Sequence, residues 1–230
     1  MEPGCGPVVM CQHMAGFDAE SWTDIQRTFG TAEPVSLHQG WLAAEDPAFR
    51  PAVVRCGWNE GHVFVYAALE DVDIFNPITE FNEPSFLHGD VFEIFLRPSG
   101  QDAYYEFHVT PRNQRYQLRV PSTTAFHASA GNKAVRDEWR VHDWQIESRV
   151  RVDVLAQHWL VFASIPLAQI VEHGRVEVEL AFSFSRYDCT RGANSPVLSS
   201  TSPHKTAHFH RQQEWGRLIL CERISNENCC

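Results

Sequence analysis

No apolar run in these 230 residues approaches the roughly 20 that a membrane-spanning helix needs. Basic residues are few: 19 Lys and Arg stand against 29 Asp and Glu, for a formal net charge of −10, and they nowhere cluster. Neither nucleic acid nor an anionic membrane is an expected partner, since each needs a concentrated positive face. There is no CxxC pair, so a zinc knuckle is not expected. A Gly-rich phosphate loop, a GxSxG elbow and an HExxH pair are also missing. The opening, "MEPGCGPVVMCQHMAG", has no basic n-region and no proper h-region, so no secretory signal is expected. Repeats and low-complexity tracts are absent, and helical periodicity is scarce.

The composition that remains is globular, 43% hydrophobic, at a length that suits one domain. Cys5, Cys11, Cys56, Cys189, Cys221, Cys229 and Cys230 are odd in number and scattered, the pattern of free thiols in a reducing compartment. Alternation with a period of two dominates. "HVFVYAALED" sets Val63, Val65 and Ala67 against Phe64, Tyr66 and Ala68. "WQIESRVRVDV" sets Trp144, Ile146, Val150 and Val152 against Gln145, Glu147, Arg149 and Arg151. "RVEVELAFSFSR" sets Val176, Val178, Leu180, Phe182 and Phe184 against Glu177, Glu179, Ser183 and Ser185. "HWLVFASIPL" is apolar throughout, and "GRLILCE" closes the series.

This pattern predicts an all-β chain: an antiparallel β-sandwich, jelly-roll or immunoglobulin-like, with one or two short helices. "DAESWTDI" suits a short helix capped by Asp18 or Ser21, and "PLAQIVEHG" one ended by Gly174. Residues 1–16 are expected as a flexible segment, 17–222 as the sandwich and 223–230 as a flexible tail. The long irregular stretches, 70–88 and 187–212, are where function is expected to concentrate.

One strand poses a problem of its own. In "HGDVFEIFLRP" both faces are apolar except at Glu93, and a lone buried carboxylate costs several kcal/mol. Directly opposed residues of a hairpin share a face. Joining this strand to "YYEFHV" through "RPSGQDA" places Glu93 opposite His108 and Phe95 opposite Glu106. Carrying the argument through "TPRNQ" to "RYQLRV" places His108 opposite Gln117 and Glu106 opposite Arg119. The result is one polar face bearing Glu93, Glu106, His108, Gln117 and Arg119, edged by Tyr104 and Phe95. Planar hydrogen-bonding groups interleaved with aromatic rings suit sugars, whose hydroxyls need the former and whose C–H faces need the latter. Three other readings stay open: a solvated face of cross-strand charge pairs, a glycoside hydrolase using Glu93 and Glu106, or a protein-interaction domain.

"LHGDVFEIFLRP" followed by "YYEFHVTPRN" resembles the centre of carbohydrate-binding module family nine. "VVRCGWNEGHVFVYAALEDVDI", "WLVFASIPLAQI", "FSFSRYD" and "FHRQQEWGRLIL" resemble its other segments in order, so the likeness runs over residues 18–221. It implies a β-sandwich that binds carbohydrate without catalysis on a concave sheet face, often as a xylanase-associated module in polysaccharide degradation and in extracytoplasmic settings. In the family a Glu and an Arg hold the sugar between two tryptophans. Here those positions fall on Glu93, on His108, near Leu87 with Phe86 beside it, and on Phe209. His210 matches a further position of the binding loop, and Trp215 is expected to plug the core. No cofactor is required, but the family's structural calcium makes Asp71 and Asp73 of "EDVDIFN" candidate ligands, two carboxylates where calcium takes six to eight oxygens.

Two further groups invite chemistry. "PHKTAHFH" holds His204, His208 and His210, and in an extended chain the last two point the same way, as metal ligands can. Cys189 in "RYDCTRG" is a conceivable nucleophile, but without a placed base it reads as a small loop hydrophobe.

Overall fold

The computed structural model describes residues 6–14, 16–59, 61–129, 136–143, 146–171 and 179–221. The alternating segments become strands: β3 (Ala52–Trp58), β4 (His62–Glu70), β5 (Val91–Pro98), β6 (Tyr104–Val109), β7 (Arg115–Val120), β8 (Glu147–Asp153), β9 (His158–Pro166), β10 (Glu179–Asp188) and β12 (Gly216–Leu220). Three more strands were not apparent in the sequence: β1 (Val8–His13), β2 (Pro34–Ser36) and β11 (Val197–Ser200). The helices are short: α1 (Trp22–Phe29), α2 (Thr123–Ser129) and α3 (Leu167–Ile170). Among the described residues no helix is long and apolar enough to cross a membrane.

The 12 strands among the described residues form one sheet, ten of them along the path β7-β6-β5-β10-β12-β1-β3-β4-β9-β8, with β11 added on β10 and β2 on β3. Strand β1 joins the halves. Its residues 8–11 pair in parallel with β12 and its residues 12–13 in parallel with β3. Within the segment 1–16 expected to be flexible, residues 8–13 are therefore a paired strand. Parallel pairing with distant strands leaves no adjacent turn signal, so the short apolar run around Val9 had no visible partner. The sheet curls until its halves share one core. Phe92, Ile94 and Leu96 of β5 and Phe184 of β10 belong to the same apolar cluster as Val65 of β4 and Trp159 of β9. The all-β expectation holds.

Helix α1 covers the outer face of the second half. Its Ile25 and Phe29 are fully buried against Phe64, Tyr66, Leu160 and Phe162. Each such burial stabilises by about 1.5–3 kcal/mol. Of the two expected caps, Ser21 does the work: its hydroxyl accepts from the Asp24 N–H at 3.3 Å. Trp144, Gln145, Gly174, Val176, Glu177, Val178 and residues 222–230 lie outside the described residues.

Register decides what faces the site. Strands β5 and β6 pair as expected, Glu93 opposite His108 and Phe95 opposite Glu106. Strands β6 and β7 do not. His108 faces Tyr116, Phe107 faces Gln117 and Tyr105 faces Arg119. The turn explains the correction. The Thr110 N–H donates to the Gln114 carbonyl at 3.0 Å, and the Asn113 N–H to the Thr110 carbonyl at 2.8 Å. Only Pro111, Arg112 and Asn113 stand between, with Asn113 left-handed at φ 59°, a common three-residue hairpin geometry. An odd loop in place of an even one moves the whole of β7 to the other parity. Tyr116, Leu118 and Val120 therefore join Glu93's face, while Gln117 and Arg119 leave it.

Candidate functional site

The outer face of β5, β6 and β7 is walled into a pocket of about 280 Å³. Its floor is made by Glu93 of β5 and Glu106 of β6, with His108 of β6, the residue paired with Glu93, buried behind them. His108 Nε2 lies 2.6 Å from Glu106 Oε1 and 3.2 Å from Glu93 Oε1. All three residues are buried, at 0%, 5% and 3% exposed for His108, Glu106 and Glu93. Glu93 is thus not stranded in an apolar strand; the imidazole is its partner. Nearby, the Tyr104 hydroxyl meets His210 Nδ1 at 2.8 Å, and that nitrogen is 3.9 Å from Glu106 Oε2.

Burial and mutual charge split these groups. Burial pushes Glu93 up to about 8, and Glu106 adds to the push against the opposing pull of His108. Glu106 is also penalised by burial, but His210 and the His108 hydrogen bond outweigh it and hold the carboxyl below its usual value. His108 is lowered by burial and raised more by Glu93 and Glu106, for a net upward shift. His210, buried, falls to about 4. These groups thus share charge unequally: Glu93 is driven towards its protonated form, Glu106 towards its carboxylate, and a charge on His210 is disfavoured.

The walls come from several separate segments, the loop with Phe209 among them. Tyr116 and Leu118 rise from β7 and Tyr187 from the end of β10. Phe126 of α2 stacks on His210, ring centroids 3.7 Å apart, and carries the Arg136 guanidinium 4.6 Å above its own ring. Phe86 sits on a short 3-10 turn and meets His108 edge-on at 5.7 Å. That turn is pinned by Asn76, whose side-chain amide donates to the Ser85 and Asp90 carbonyls at 3.0 and 3.1 Å. Gly89 is required beside it, because a Cβ there would meet the Phe75 carbonyl at 2.5 Å.

No family model matches this sequence, and no curated protein matches it. Solved structures do match. A family 9 carbohydrate-binding module from Caldicellulosiruptor kristjanssonii in complex with cellotriose aligns over 97% of this chain and 98% of its own, at 15% identity and a TM-score of 0.63. The chain shares the fold of family 9 modules. A structure of such a module from the same organism with glucose gives a TM-score of 0.60 at 15% identity over 97% of this chain and 100% of its own. A candidate carbohydrate-binding protein from Bacteroides uniformis ATCC 8492 gives 0.66 at 14% identity over 94% and 97%. The resemblance read from the sequence is thus matched at the level of fold.

The structure gathers some of the expected site residues and separates others. Glu93, Glu106, His210, Phe86 and Phe209 line the pocket, and His108 is buried against its two carboxyls. Phe209 is a buried wall, tied down by the Trp215 indole N–H, which donates to its carbonyl at 2.8 Å. Trp215 packs under Phe95 and Tyr104, the plug expected of it. Leu87 points away, 63% exposed. Gln117 is buried on the opposite side of the sheet, its side-chain Oε1 accepting from the Ile146 N–H at 2.8 Å, and Arg119 lies on that side too. Tyr116, Leu118, Phe126, Arg136, Trp139 and Tyr187 were missed. The αL-tolerant Asn113 was the signal for the first two; "PSTTAFHASA" held the helical signal for Phe126.

Asp71 and Asp73 do not fit calcium. Asp71 Oδ2 takes Arg186 Nη2 at 3.0 Å, and its Oδ1 accepts the Asp73 N–H at 2.9 Å. Asp73 pairs with the Arg191 guanidinium and accepts its backbone N–H at 2.7 Å. Asp71, Asp90 and Asp188 do come together, but Arg186 already fills the cluster, 3.1 Å from Asp188 as well. The three loop histidines do not form a cluster either. His204 is buried against Glu214 at 3.1 Å, while His208 and His210 turn towards Phe126. Burial pushes the Cys189 thiol up to about 12, which leaves it no nucleophile.

Proposed function

We propose that this chain binds carbohydrate in the pocket over β5, β6 and β7. The observation that carries the reading is the pocket itself: aromatic walls for sugar C–H faces above a floor of buried carboxyls for hydroxyls. Its volume, about 280 Å³, is at the small end of ligand pockets. A mono- or disaccharide, or the end of a longer chain, suits it better than a flat array of sugars. Support comes from the fold, shared with modules solved with glucose and cellotriose. We read the two halves closed over one core as the β-sandwich of such modules, and the role as an accessory to polysaccharide breakdown. Calorimetric titration against a panel of mono- and oligosaccharides tests the reading. Saturable heat that disappears in Glu93→Gln is the expected result; silence across the panel refutes it.

One observation favours a second reading, a glycoside hydrolase. Glu93 and Glu106 are close, and their surroundings drive their proton affinities apart, as an acid and a nucleophile require. Turnover of aryl glycosides by the parent chain, abolished in Glu106→Gln, would establish it. A protein-interaction domain, by contrast, keeps its partner in Glu93→Gln.

A further inference from the structure

The pocket floor is also a set of metal-binding atoms. One oxygen each from Glu93 and Glu106 and a ring nitrogen of His108 all lie within 4.8 Å of one another. Two of the separations are 2.6 and 3.2 Å. The three side chains stand on directly paired strands, so the sheet fixes their spacing. Zinc bonds imidazole nitrogen and carboxylate oxygen at about 2.0–2.2 Å, which puts tetrahedral ligand atoms roughly 3.3–3.6 Å apart. Small side-chain adjustments convert one arrangement into the other.

A second observation points the same way. Glu106 Oε2 is buried without a hydrogen-bond partner among the described residues. Leaving such an oxygen unpaired is costly, and His210 Nδ1, 3.9 Å away, is beyond hydrogen-bond distance. Glu93 and Glu106 both open onto the pocket, which leaves room for a further ligand.

We propose that Glu93, Glu106 and His108 bind one divalent first-row transition metal, with an open coordination position facing the pocket. Two carboxylates balance the charge of such an ion. The imidazole favours zinc-like metals over calcium and magnesium, which take oxygen ligands in larger numbers. The Asp71–Asp90–Asp188 cluster is no rival, since a guanidinium occupies it. This inference goes beyond carbohydrate binding, and its test uses no sugar.

The test is a calorimetric titration of chelator-stripped full chain with zinc chloride. The expected result is one saturable equivalent that is lost in Glu106→Gln and retained when Cys229 and Cys230 are both changed to serine. Cobalt(II) in place of zinc should give visible absorption bands of low-coordinate geometry in the parent and not in Glu106→Gln. If Glu106→Gln does not fold, Glu93→Gln takes its place in both measurements. The proposal is overturned if no saturable equivalent is seen, if the equivalent survives in the glutamine variant, or if it vanishes in the cysteine variant.

Discussion

Replacing Arg186 by methionine should destabilise the chain far more than an ordinary surface substitution. Arg186 is 0% exposed and lies on the core face of β10, opposite Phe92. Its Nη2 reaches Asp71 at 3.0 Å and Asp188 at 3.1 Å, and Asp90 stands in the same cluster. Methionine fills much of the volume but strands three buried carboxyls without a cation. Removing one partner of a buried pair costs about 3–5 kcal/mol. For a chain of this size each kcal/mol lowers Tm by roughly 2–4 °C, so the expected drop is about 6–20 °C. Burial already raises Asp90 to about 8 and Asp188 to about 6. Folded values above the unfolded ones give stability that is lost as pH rises through the folded values. Without Arg186 those values climb further, so the gap between parent and variant should widen as pH rises above about 6 through Asp188, and above about 8 through Asp90 as well. Adding Asp71→Asn to the variant should recover part of the loss, because it removes a stranded charge. Thermal melts followed by circular dichroism measure all of this. A drop below about 1 kcal/mol near neutral pH, or a gap that narrows as pH rises, refutes the claim that the guanidinium neutralises this cluster.

The remaining predictions concern the pocket and its supports. Glu93 has a folded value of about 8 against an ordinary 4.5, so its contribution to stability should fall as pH climbs between them; urea unfolding of parent and Glu93→Gln across that range should show the parent losing ground, and a constant difference would contradict it. Leu118→Lys should abolish the saturable sugar heat while Arg119→Ala keeps it, since Leu118 faces the pocket and Arg119 the other side; the opposite pattern would restore the even-loop register. Asn113→Ala should cost about 1–3 kcal/mol in urea unfolding, because it puts a Cβ-bearing residue without a polar side chain at φ 59° and removes the hydrogen bonds to Ser148 at 3.0 and 2.7 Å. Millimolar calcium should leave Tm unchanged, as the Asp71 and Asp73 carboxylates are held by arginines.

What the sequence could show followed the range of its signals. Period-two alternation is local, so β5 and β6 and their facing pair Glu93–His108 were legible from a short window. The face of β7 depended on whether the loop after Val109 holds three residues or four. "TPRNQ" allows both; the hydrogen bond from the Thr110 N–H to the Gln114 carbonyl decides it. Strand β1 had no local partner to declare it, because its pairing lies with residues around 217 and 57.

The pocket walls were the least accessible for the same physical reason. Tyr116, Phe126, Tyr187 and Phe209 sit on four segments that approach only when the sheet has curled and α2 has docked. No single segment reveals that a carboxylate row on an open face will be roofed by aromatic rings. Roofing changes the chemistry of that row. On an open face Glu93 and Glu106 would stay solvated, and each pairing would be worth well under about 1 kcal/mol. Under Phe86, Tyr187 and Phe209 they lose water, and burial becomes the largest influence on both. His108 then decides how the charge is shared, where an arginine at the same position would hold a fixed positive charge. Histidine can give up its proton or take a metal; arginine can do neither. His108 is therefore the residue on which sugar recognition, acid–base chemistry and metal binding part company, and His108→Arg tests all three at once: it should abolish zinc binding, while any sugar binding that survives would show that a fixed cation suffices beside Glu93.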